Sequence, residues 1–214
     1  MQAQAKMLVE FMEKQGHDAF HLICHDQGGA ASQIIAATMP EKIMTLVLTN
    51  CVCYDNWPVP AISKWQTFAR IPLIPEYLIQ MGVVKWLETK TPLSAFRKGV
   101  YNPEKMTHEA IMEYLRPLHE DSKSRKLFLK FLLAGNSRYT LEVVSGLKKF
   151  TKPGMVIWAA DDFYISPSWG KRLADDIPGV KDFELIPFCG HFWQEEKATE
   201  FSLKIGNFLA SHTK

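Results

Sequence analysis

In Phe20-His21-Leu22-Ile23-Cys24-His25-Asp26-Gln27-Gly28-Gly29 a short apolar run stops abruptly at polar residues and two glycines. An alanine-rich helical pattern follows, Ala30 to Met39, and Pro40 ends it. Beyond it, Thr45 to Thr49 is a second apolar, β-branched run. Strand, helix, strand with short runs and no strict alternation is the signature of a buried parallel sheet. Small residues on either side of Asp26 let the chain bend sharply and lift one side chain above the sheet. The free N–H groups of the following helix stand behind it. Asp26 alone could equally be a helix N-cap.

Working outward, residues 1–15 place Ala5, Leu8, Phe11 and Met12 at helical spacing, and Gly16 stops them. From Cys51 to Phe150 strand signals vanish. Prolines cluster at 58, 60, 72, 75 and 92, and helical patterns cover Tyr77 to Leu87, Met106 to Leu118 and Ser122 to Ala134. Sheet signals return at Gly154 to Ala160, which runs into Asp161-Asp162. A helix near Pro167 to Asp175 leads to the strand Asp182 to Pro187 and then to Cys189-Gly190-His191. Phe201, Ile205, Phe208 and Leu209 mark a last amphipathic helix. The expected organisation is a first core part over 1–52, a helical cap over 53–150 and a second core part over 151–214.

Parallel α/β sheets bind ligands outside the carboxyl ends of their strands. Asp26, Asp161/Asp162 and His191 all fall at such ends. His17-Asp18 precedes its strand and reads as a solvated turn; His21, His25, His108 and His119 read as packing or surface residues.

The composition closes off other classes. The chain has 214 residues, 47% hydrophobic and 22% charged, with Lys+Arg 25 against Asp+Glu 23 and a formal charge of +2. No basic excess points to nucleic acid and no charge block to a membrane surface. No apolar run is long enough to span a bilayer, and the first residues carry no secretory pattern. Cys24, Cys51, Cys53 and Cys189 form no zinc spacing, so no metal is expected and the thiols read as reduced and buried in a cytoplasmic protein.

Three stretches together resemble the α/β-hydrolase family, in its epoxide hydrolase and haloalkane dehalogenase branch: Ile23 to Gly29, Val156 to Asp162, and Cys189-Gly190-His191-Phe192. The order of elbow, helical insertion, acid and histidine matches as well. The resemblance implies an α/β-hydrolase fold, a mostly parallel sheet with flanking helices and an inserted cap. It implies Asp26 as nucleophile, Asp162 as the acid orienting His191, and His191 as base, with Asp161 the rival acid. A free Asp has a pKa near about 3.9 and is an anion at neutral pH, so it can attack a saturated carbon unaided. The resulting alkyl ester would be hydrolysed by water activated at His191. The backbone N–H of Gln27 would supply one oxyanion donor. Tyr139 and Trp57 are the expected substrate contacts in the cap, and no organic cofactor is implied. The expected substrate is small and apolar, an epoxide before an alkyl halide, because Gln27 stands where dehalogenases carry a halide-binding Trp.

Two further departures bear on activity. Cys24 replaces a common Gly, a small change. More consequentially, family members carry strands and a His-Gly motif before the elbow, whereas this chain begins one helix before it and has no His-Gly pair. Roughly half the sheet is therefore expected to be absent, with Phe20 to Cys24 left as an open edge. That opens a second reading: a truncated, non-catalytic relative that binds a ligand or partner, or self-associates, through this edge.

Overall fold

In a computed structural model the chain is described over residues 1–212. The elements run α1 (Gln2–Lys14), β1 (Phe20–Asp26), α2 (Gly28–Thr38) and β2 (Ile43–Cys51), then six cap helices: α3 (Pro60–Ala69), α4 (Ile74–Gln80), α5 (Val83–Lys90), α6 (Ala95–Lys98), α7 (His108–Glu120) and α8 (Ser122–Ala134). Two short helices, α9 (Arg138–Leu141) and α10 (Val144–Leu147), pack against α2 and lead back to the sheet. β3 (Gly154–Ala159), α11 (Pro167–Asp176), β4 (Val180–Ile186), α12 (Trp193–Glu196) and α13 (Ala198–His212) complete the chain.

The four strands form one parallel sheet in the order β1-β2-β3-β4. α1, α2 and α11 cover one face over a core that includes Ile35, Leu46, Leu48, Val156 and Trp158. α13 covers the other through Phe201, Ile205 and Phe208 against Val47, Met155 and Ile157. Both faces are covered, so β2 is buried except at Met44 and β3 throughout, and both are rich in apolar residues. β1 is an edge, and Ile23 on it is 45% exposed. The described residues contain no helix long and apolar enough to cross a membrane.

The pattern over Tyr77 to Leu87 does not form one helix. It breaks between α4 and α5 at Gly82, whose φ of 80° lies in the left-handed region that interrupts helical hydrogen bonding. β1 also runs two residues past Cys24, to Asp26, with a register shift between His25 and Asp26. The strand therefore delivers Asp26 directly to its carboxyl end.

Candidate active site

The bend after β1 is made by Asp26 itself, at φ 47°. A non-glycine residue in that region is strained, and such strain persists only where the surroundings enforce it. Here α2 begins two residues later and lies close to β2. A Cβ on Gly29 would sit 2.4 Å from Cys51 Cβ, so only glycine admits this approach. Gln27, the expected oxyanion donor, follows the bend and immediately precedes α2. Burial pushes the Asp26 carboxyl above its ordinary pKa, opposed by the charge of His191 and the Gln27 N–H.

Asp162 and His191 meet across the sheet end. The His191 Nδ1–H donates to Asp162 Oδ2 at 2.9 Å, with the two residues only 4% and 8% exposed respectively. Asp162 accepts three further bonds: from Asn50 Nδ2 at 2.7 Å, Tyr164 N at 2.7 Å and Ile165 N at 2.9 Å. Burial alone would raise its pKa; the His191 bond and charge, with Asn50 and the Ile165 amide, outweigh burial and hold it below the ordinary value. Burial likewise opposes protonation of His191, but Asp162 and then Asp26 outweigh it and raise its pKa. Asp161 takes another task. Its carboxylate accepts from Cys189 N at 3.3 Å and its N–H donates to Cys189 O at 3.0 Å, pinning the loop that carries His191.

The His191 loop is braced from three sides. His25 Nε2 donates to His191 O at 2.9 Å, and the two rings lie 4.6 Å apart. Burial, then the charge of His191, pushes the His25 pKa down to about 4, so it stays neutral. Trp193 Nε1 donates to Thr49 Oγ1 at 3.1 Å, which donates in turn to Cys24 O at 3.0 Å. The Glu196 carboxylate accepts from Gly190 N at 2.7 Å, Tyr101 N at 2.9 Å and Asn102 N at 2.7 Å, tying loop to cap.

Asp26 and His191 lie on the wall of one cavity of about 570 Å³, closed above by α3, α4, α5, α7 and α8. Its lining is apolar apart from Asp26, His191, Glu88, Trp57, Trp65, Tyr114 and Tyr164, and includes neither Lys nor Arg. Trp57 is buried against this cavity, and its indole N–H has no partner among the described residues. Tyr139, expected at the substrate, is not part of the lining. It sits on α9, on the α2 side, where its ring packs against the core and under Arg138. Tyr164 and Tyr114 stand at the cavity instead. Asn50 was absent from the sequence reading, although it sits at the carboxyl end of β2, where the strand-end rule would have placed it. Among the described residues no three His, Cys, Asp or Glu side chains converge as a metal site.

Comparison with known proteins agrees with this architecture. Residues 2–202 match the model of the "Alpha/beta hydrolase family". A 2-hydroxy-6-oxononadienedioate/2-hydroxy-6-oxononatrienedioate hydrolase of Pseudomonas sp is 28% identical over 215 residues, covering 97% of this chain and 69% of its own. The enzyme of the same name from Burkholderia vietnamiensis is 25% identical, covering 96% and 67%. The chain thus spans about two thirds of these relatives' length. A structure described as a putative ancestral haloalkane dehalogenase superposes with TM-score 0.76 at 17% identity, covering 97% of this chain and 74% of that one, which establishes a shared fold.

Proposed function

The chain belongs to the alpha/beta hydrolase family, and we propose that it acts through Asp26 as a nucleophile, by way of a covalent alkyl ester, on a small apolar epoxide. The observation that carries this reading is a carboxylate, not a hydroxyl, at a strained bend on the wall of an apolar cavity shared with the His191–Asp162 pair. A buried carboxylate is poorly solvated, which favours its attack on carbon, and the charge of His191 opposes the burial that raises its pKa.

The steps balance with the residues present. An Asp26 oxygen bonds to a ring carbon, the carbon–oxygen bond of the epoxide breaks, and the freed oxygen takes a proton from a phenol. Tyr164 and Tyr114 are the phenols of the lining; their hydroxyls donate to Ala95 O at 2.6 Å and Glu195 Oε1 at 2.8 Å, so either must turn from that partner to protonate the freed oxygen. Burial pushes both hydroxyls up, Tyr114 to about 12, so both are protonated at neutral pH. His191 Nε2 then takes a proton from water, and the hydroxide adds to the Asp26 carbonyl carbon. The ester bond to the alkyl group breaks, the diol leaves with the proton from His191, and the proton left on the Asp26 carboxyl returns to the phenolate, so that carboxylate and phenol are both restored.

The lining argues against transferring the relatives' named substrates. Those are dioates, and a cavity without Lys or Arg has no cation to offset two buried carboxylates. A second reading is a haloalkane dehalogenase-like hydrolase, with Trp57 in the lining as the candidate halide contact; its indole N–H, sealed away against Gly135, counts against that role. The open edge of β1 favours a further proposal, pairing with a second copy of the chain, which sedimentation tests directly. Four buried, unpaired cysteines support a reducing, cytoplasmic setting.

The test is His191→Gln incubated with an epoxide and, separately, an alkyl halide. A mass increase of one substrate-derived group on the Asp26 peptide is expected. A folded variant whose peptide stays unmodified with both would refute the nucleophile assignment.

A further inference from the structure

The cavity holds a second carboxylate that the proposed chemistry does not use. Glu88, on α5, is 8% exposed and lines the same space as Asp26. Both of its hydrogen bonds fall on one oxygen. Oε2 accepts from Ser94 Oγ at 2.9 Å and from Phe96 N at 3.3 Å, which fixes the side chain against the start of α6. Oε1 has no hydrogen-bond partner among the described residues, and it is not among the polar atoms sealed away from solvent. Its lone pairs are therefore available to the cavity contents.

A buried carboxylate with an idle oxygen is costly unless something donates to it. The neighbouring Tyr164 hydroxyl does not; it donates to Ala95 O at 2.6 Å. The surrounding lining is apolar, with Ala95, Phe96, Leu87 and Leu118 nearby in the chain or cavity. An apolar pocket with a few convergent polar groups recognises a ligand by those groups.

We propose that Glu88 is a specificity-determining residue that binds a hydrogen-bond donor, an ammonium or a hydroxyl, on a part of the substrate other than the carbon attacked by Asp26. The substrate is then an amphiphile: an apolar body that carries both an electrophilic carbon and a donor. This rests on the cavity being the substrate site, and it deepens the proposed function. Anionic ends are disfavoured by both carboxylates, so the proposal orders three ligand classes: ammonium first, hydroxyl second, carboxylate last.

The experiment is a binding measurement, so that its outcome does not depend on turnover. Asp26→Asn removes the other carboxylate, and Trp57 and Trp65 in the lining report occupancy by fluorescence. Hexylammonium, hexan-1-ol and hexanoate are the probes. Hexylammonium is expected to bind at least about tenfold more tightly than hexanoate to Asp26→Asn, the scale of one charge-assisted hydrogen bond. Adding Glu88→Gln is expected to remove about tenfold of ammonium affinity while changing hexan-1-ol by less than about threefold, because the amide oxygen still accepts. Equal binding of the three probes to Asp26→Asn, or an ammonium affinity left unchanged by adding Glu88→Gln, would overturn the proposal. If Glu88→Gln does not fold, nuclear Overhauser contacts in Asp26→Asn decide: from the nitrogen-bearing methylene to Phe96 as expected, or to His191, which would overturn it. An absent Asp26 adduct would sink the nucleophile reading and leave this ranking intact.

Discussion

Asp162→Asn separates the two proposed chemical steps. The carboxylate accepts four hydrogen bonds and donates none. An amide oxygen can take over the Oδ1 position, keeping the Tyr164 and Ile165 amides. The amide nitrogen then replaces Oδ2 and points donors at Asn50 Nδ2, 2.7 Å away, and at His191 Nδ1, 2.9 Å away. Asn50 cannot flip to relieve this without losing the bond its Oδ1 accepts from Ala159 N at 3.0 Å. One charge-assisted bond lost and one buried donor orphaned come to about 3–6 kcal/mol of stability, against about 5–15 for a domain, so a folded but weakened protein is expected. His191 must then accept at Nδ1 and carry its proton on Nε2, the wrong tautomer for taking a proton from water. The analogous loss in a serine triad costs about 10⁴-fold, and a fall of about 10³–10⁴ in ester hydrolysis is expected here. Attack by Asp26 needs no base and should change less than about tenfold. Rapid quench followed by mass spectrometry resolves the two, and near-ultraviolet circular dichroism confirms the fold. A folded variant that hydrolyses its ester at the wild-type rate would refute the reasoning.

Hydrolysis should rise with pH through the His191 midpoint in the ester, because the neutral ring is the base; Asp162 still raises that midpoint, whereas the Asp26 charge that adds to it in the free protein is gone. Below that midpoint adduct should accumulate; hydrolysis unchanged with pH across the imidazole range, measured by single-turnover kinetics, would contradict this. The His191–Asp162 pair also links to stability. The part from Asp162, whose pKa is lowered, is present above the ordinary carboxylate range and lost as pH falls through its folded value; the part from His191, whose pKa is raised, is present below the unfolded imidazole value and lost as pH rises through its folded value. Glu196→Gln leaves one oxygen for three backbone N–H groups in the loop and cap, and should slow hydrolysis about tenfold with little effect on adduct formation; equal slowing of both steps would remove its role in placing His191. Gly29→Ala forces a Cβ to 2.4 Å from Cys51 Cβ and should cost about 1–3 kcal/mol, read as a lower urea midpoint at unchanged slope.

The site was legible where chemistry and chain direction coincide. Asp26, Asp162 and His191 could be read because each follows a short apolar run at the carboxyl end of a parallel strand, and the structure gathers all three at one end of the sheet. Asn50 ends such a strand too, but within Leu48-Thr49-Asn50-Cys51 nothing marks it as polar support for a carboxylate beyond the next strand, 112 residues on. The cap was harder. Its cavity-facing residues are set by how six helices lean on one another, which residue spacing does not encode. Tyr139 has the chemistry of a substrate contact yet falls on the core side of α9, and Tyr164 reaches the cavity from the loop after Asp162. Glu88, in a helix rich in charge, reads as a solvent-facing residue until the fold buries it.

The most direct test of Asp26 as nucleophile is a single turnover in oxygen-18 water with enzyme in excess over epoxide. Hydrolysis of an ester at its carbonyl carbon places the solvent oxygen in Asp26 and leaves the product with the oxygen that Asp26 donated. The Asp26 peptide is expected to gain one oxygen-18 while the diol stays light. A labelled diol with an unlabelled Asp26 peptide would mean that water attacks the substrate directly, and would contradict the covalent route.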